Sequence, residues 1–67
     1  MYYAVIKDIC KEKNISVSEV EKRAGLGNGT ITKWNQSVPN LKNLEAVANV
    51  LGIKATTIIK RRDNYGG

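Results

Sequence analysis

Residues 17–36 read VSEVEKRAGLGNGTITKWNQ, and the order of apolar, glycine and small polar residues in this stretch decides how the rest of the chain is read. Ser16-Val17-Ser18-Glu19 has the Ser-x-x-Glu spacing of a capping box, so a helix is predicted to start at Val17. Val20 and Ala24 lie on its apolar side, and it ends at Gly25, where glycine can take the left-handed conformation that closes a helix. Gly25-Leu26-Gly27 then turn the chain, with Leu26 as the apolar group that pins the turn to a core. A further helix is expected to begin near Gly27 to Asn28. Ile31 and Trp34, at i and i+3, share its buried face, and Asn28, Gly29, Thr32, Lys33 and Gln36 occupy the other. A second reading makes Asn28-Gly29 a turn and starts that helix only at Thr30.

Upstream, Val5, Ile6, Ile9 and Cys10 fall at helical spacing between Tyr3 and Lys13, and Asn14 interrupts the pattern. Downstream, Ser37-Val38-Pro39 breaks the periodicity, because the residue before proline is pushed away from helix, and Asn40 can cap a new start at Leu41. Leu41, Leu44, Val47, Ala48 and Leu51 form an apolar stripe that stops at Gly52. Ile53, Ile58 and Ile59 suggest a short fifth helix, about Ala55 to Lys60, after which RRDNYGG (residues 61–67) is expected to fray. The predicted fold is all-α: one compact five-helix domain over residues 1–67, with its core at about 3–60.

At 67 residues a domain buries too little surface to hold a deep catalytic cleft. Cys10 is the single cysteine and histidine is absent, so there is neither an intramolecular disulfide nor a His/Cys metal site. No nucleophile paired with a base and no Gly-rich phosphate loop occur, so no catalytic residue, cofactor or small-molecule ligand is expected. Charges every few residues in MYYAVIKDICKEK rule out a signal peptide, and no membrane span is present; a cytoplasmic location is expected. Asn14-Ile-Ser, Asn28-Gly-Thr and Asn35-Gln-Ser match the glycosylation acceptor pattern, which carries no weight without a secretory signal. Eleven Lys and Arg against six Asp and Glu give +5 at pH 7, a balance that favours polyanionic partners without establishing one.

The layout of residues 17–36, a short helix, a glycine turn and a helix with one apolar and one small polar face, is that of a helix-turn-helix. Together, IKDICKEKNISVSEVEKRAGLGNGTITKW (6–34) and PNLKNLEAVANVLGI (39–53) resemble the Cro/C1-type (XRE-like) helix-turn-helix domains of phage and bacterial repressors. The resemblance spans about Ala4 to Ile59. Ile6, Ile9 and Ile15 match core positions before the motif, Val20, Ala24, Leu26, Ile31 and Trp34 its buried positions, and Gly25 its turn glycine. It implies a lambda-repressor-like fold and sequence-specific binding of double-stranded DNA as a transcriptional regulator, a repressor by the family's usual role. Two residues depart from the pattern. Val17 stands where the family usually opens the second helix with glutamine, so that side chain's bond to DNA is lost. Glu21 stands where a small alanine is usual, and it is expected to extend to the edge and pair with Lys22 or Lys33.

In such a domain the outward residues near the start of the third helix reach base edges. Here they are Asn28, suited to adenine, Gly29, which permits close backbone approach, Thr32, whose methyl can meet that of thymine, and Lys33, suited to guanine N7 and O6. Ser16, Ser18, Gln36 and Lys42 are the candidate phosphate contacts, although Ser16 also serves as a helix cap and Lys42 also fits a merely solvated lysine. Trp34 is assigned to the core rather than to base stacking, Cys10 to the core or its boundary, and Lys60, Arg61 and Arg62 to solubility rather than to phosphate contact. A homodimer is expected, at least on DNA. Either Ile58, Ile59 and Tyr65 of the fifth helix supply a small interface, or the chain is a piece of a longer repressor. The competing class is a protein-interaction module, such as an antitoxin, adaptor or anti-repressor, that uses the same fold without reading DNA. RNA binding is a third reading, disfavoured because exposed aromatics are few.

Overall fold

Apolar residues three and four apart wind the start of the chain into helix α1 (Tyr2–Glu12), which buries Tyr2, Val5, Ile6, Ile9 and Cys10. A computed structural model describes residues 1–64 of the chain. Helix α2 (Val17–Arg23) follows, then a 3-10 turn at Thr32–Asn35, helix α3 (Leu41–Leu51) and helix α4 (Ala55–Asn64). Among the described residues the fold is therefore all-helical, with four α-helices rather than five.

The expected third helix is replaced by turns through residues 28–31 and a single 3-10 turn, which supports the reading that made Asn28-Gly29 a turn. The cause is local. Gly29 has φ +88, which no residue inside a right-handed helix can adopt, and the remaining stretch before Pro39 is short and rich in weak helix formers.

Helix ends follow the sequence closely. Ser16 Oγ accepts the Glu19 backbone N–H at 3.0 Å and Asn40 Oδ1 accepts that of Asn43 at 2.8 Å, so both predicted N-caps form. Only half of the capping box closes, because the Glu19 carboxylate takes Arg23 Nε at 2.9 Å. Three helices end with one device, a residue at positive φ followed by a branched apolar residue that folds back. After α1, Asn14 (φ 57) donates to Lys11 O and Ile15 to Cys10 O. After α2, Gly25 donates to Lys22 O and Leu26 to Glu21 O, and after α3, Gly52 donates to Asn49 O and Ile53 to Ala48 O. Ile15, Leu26 and Ile53 are thereby set half-buried against the core, so each helix stop also supplies a core contact.

Helix α1 is the central element, touching α2, the 3-10 turn and α4, while α3 packs on α2 and α4. The core joins the α1 residues to Val20, Ile31, Trp34, Leu44, Val47, Ala48, Leu51 and Ile58. Trp34 is 6% exposed, as its spacing from Ile31 predicts. Leu41, expected in the α3 stripe, is 60% exposed, since it opens the helix ahead of the turns that meet α2 and α4.

Helix α4 runs past the expected end at Lys60 to Asn64. It is carried on by contacts to α1: Arg61 Nη2 donates to both Glu12 carboxylate oxygens at 3.0 and 3.3 Å, and the Arg62 guanidinium lies 5.3 Å from the Tyr2 ring centre. The Asp63 hydrogen bond and charge raise the Arg62 pKa above its ordinary value. These two arginines are thus occupied in holding α4. Ile58 is wholly buried and Ile59 packs half-buried on the core, so Ile58 offers nothing to a dimer contact, and Tyr65 lies outside the described residues.

Candidate nucleic-acid interface

Residues 28–36 are held from the inside by three side chains. Ile31 is fully buried and Trp34 nearly so. The third is Glu21 of α2, only 3% exposed, whose Oε1 accepts the Gly29 N–H at 3.2 Å and whose Oε2 accepts the Ile31 N–H at 2.8 Å. The expected pairing of Glu21 with Lys22 or Lys33 at the molecular edge is therefore corrected. The residue turns inward because the N–H groups opening the 28–36 segment are otherwise short of acceptors, and a carboxylate offers two oxygens to them. The 3-10 turn has no side-chain cap from within its own sequence; Glu21 supplies one from eight and ten residues upstream.

The other bonds of the segment are short-range. Thr30 N–H donates to Gly27 O, Lys33 to Gly29 O, Trp34 to Ile31 O and Gln36 to Lys33 O. Ser37 closes the segment with both its N–H and its hydroxyl on Lys33 O, at 3.1 Å each. In 3-10 geometry side chains at i and i+3 eclipse, so one edge carries Ile31 and Trp34 into the core and two edges face outward: Thr32 with Asn35, and Lys33 with Gln36. All four outward residues are exposed, as is Asn28, and Gly29 is half-buried.

Ser16, Ser18 and Asn28 line one shallow cleft with Glu19, Glu21, Lys22 and Leu26, so the opening of α2 and the start of the 28–36 segment share a surface. Thr32, Lys33, Gln36 and Lys42 are not among its lining residues. Lys42 is exposed in the first turn of α3. Val17, where the family usually has a polar residue, is half-buried and packs on the core. Asn35 lies outside the contact set expected from the sequence, although its i+3 spacing from Thr32, the same that pairs Ile31 with Trp34, is a signal that could have placed it there. Glu21 stands out in the sequence only as a departure from the family pattern. The one local sign of its role is its place directly after the buried Val20 on a short helix.

Arg23 is engaged by Glu19, and Arg61 and Arg62 by Glu12 and Asp63. Lys22, Lys33 and Lys42 are exposed and take part in no ion pair among the described residues. No group of three or more His, Cys, Asp or Glu among the described residues is placed to hold a metal ion, and no described helix is long and apolar enough to cross a membrane.

The sequence profile of the Cro/C1-type HTH DNA-binding domain matches residues 5–64, which takes in α1 from Val5 onward, the other three helices and the 28–36 segment. The chain belongs to that family, and DNA binding is the activity the family description carries. Comparison with curated proteins and with solved structures finds no match.

Proposed function

We propose that this protein is a sequence-specific transcriptional repressor that binds double-stranded DNA in the cytoplasm by setting the 28–36 segment into the major groove. The observation that carries the reading is the exposed pair of edges on that segment, Thr32 with Asn35 and Lys33 with Gln36, on a backbone anchored by Ile31, Trp34 and Glu21 in a chain of a DNA-binding family. A major groove roughly 12 Å wide admits such an element. Asn28, Gly29, Thr32 and Lys33 meet base edges, and Ser16, Ser18, Gln36 and Lys42 set the register on phosphates. The short segment reads few bases, so two copies bind two-fold related half-sites about 34 Å apart. Repression is the role that the resemblance to phage and bacterial repressors supports.

The test is a salt series on random duplex DNA, followed by selection of a preferred site. The parent is expected to bind with a log–log salt slope of about −0.9 per phosphate neutralised. Lys33→Glu should lower that affinity at least about tenfold, by losing one cation and placing an anion at the groove. Asn28→Ala should leave random-sequence binding nearly unchanged while relaxing the preference at one or two positions of the selected site. If the parent fails to bind at low salt, DNA reading is overturned and a protein partner becomes the object of search.

A further inference from the structure

We infer that Glu21 is a positioning residue for DNA reading: by holding the Gly29 and Ile31 amides, it fixes where Asn28 and Thr32 stand and so sets specificity more than affinity. The inference rests on the proposed function and goes beyond it. The geometry carries it. A buried carboxylate with both oxygens occupied by backbone N–H groups at 3.2 and 2.8 Å ties α2 to the far side of the turn, bracketing Thr30 and lying next to Asn28. Gly29 has φ +88, so the backbone leaves the right-handed helical conformation between the two residues expected to touch bases. The Gly29–Asn35 stretch contains a single α-type i to i−4 bond, Lys33 to Gly29, and therefore lacks the repeated ladder that fixes a long recognition helix. Glu21 takes that part. It also lines the cleft shared by Ser16, Ser18 and Asn28, so the same side chain relates the phosphate-facing opening of α2 to the base-facing turn.

Glu21→Gln keeps size and one acceptor, but its amide NH2 must face one of the two N–H donors, so one of the bonds is lost. The experiment compares parent and Glu21→Gln on the selected site and on random duplex across a salt series, with amide hydrogen exchange read at Gly29 and Ile31 without DNA. The expected result is faster exchange at one or both amides and a ratio of specific to random binding lowered about tenfold, the order of one good base contact. Should Glu21→Gln fail to fold, a synthetic chain with an ester in place of the Gly29 amide removes the single N–H that Oε1 accepts, and is read by exchange at Ile31 and by the same binding ratio. If the parent reads a site and the ratio is unchanged in the variant that folds, the positioning role is overturned and DNA reading stands. If the parent binds no DNA, both are overturned.

Discussion

Glu21 shows how one residue can break a family's habit and still serve its fold. Alanine is the usual residue there by the family resemblance, yet in this chain Glu21→Ala would leave the Gly29 and Ile31 N–H groups without an acceptor, one of them buried. The expected loss is about 2–4 kcal/mol, read as a lowered midpoint in urea at unchanged slope, because unsatisfied buried donors cost more than the net worth of a hydrogen bond. Gly29→Ala probes the same turn from the backbone. A Cβ there would meet nothing within 4 Å, so the expected cost of about 1–2 kcal/mol is conformational and comes from φ +88 alone. Ser16→Ala should cost about 1 kcal/mol through the lost α2 cap.

Among the elements, α4 does more than its sequence suggests. Its arginines look like a solubilising tail, yet Arg61 and Arg62 lie against Glu12 and Tyr2 of α1. The exposed ion pair still contributes little, so Arg61→Ala is expected to cost less than about 1 kcal/mol. Ile58→Ala, which opens a cavity under α4 at a side chain with no exposed surface, is expected to cost about 2–5 kcal/mol. Urea titrations of both variants distinguish apolar docking from ionic docking of the helix; a larger loss in Arg61→Ala would reverse the ranking.

Across the whole molecule, stability depends on a core with one ionisable thiol inside it. Burial pushes the Cys10 thiol pKa up from its ordinary value of 9.0. A group whose folded pKa is raised contributes stability that is present below the unfolded pKa and lost as pH rises through the folded one. The protein is therefore expected to lose stability as pH rises above about 9. Cys10→Ala should flatten that slope while lowering stability throughout, and a thiol reagent at pH 8 should label the parent only as fast as it opens.

Short-range chemistry was decided by the sequence by itself: the caps at Ser16 and Asn40, the stops at Asn14, Gly25 and Gly52, the apolar faces of α1 and α3, and the inward placing of Trp34. Each depends on residues within about four positions of one another, which is the reach of helical periodicity and of cap hydrogen bonds. The family was legible for the same reason, since its pattern is a chain of such local signals. Only the tertiary structure decided that Glu21 caps residues 28–36 and that α4 extends to Asn64 along α1. Those outcomes turn on contacts eight, ten and 49 residues apart, where the partner that satisfies a donor or a charge is chosen by packing and leaves no periodic trace in the sequence.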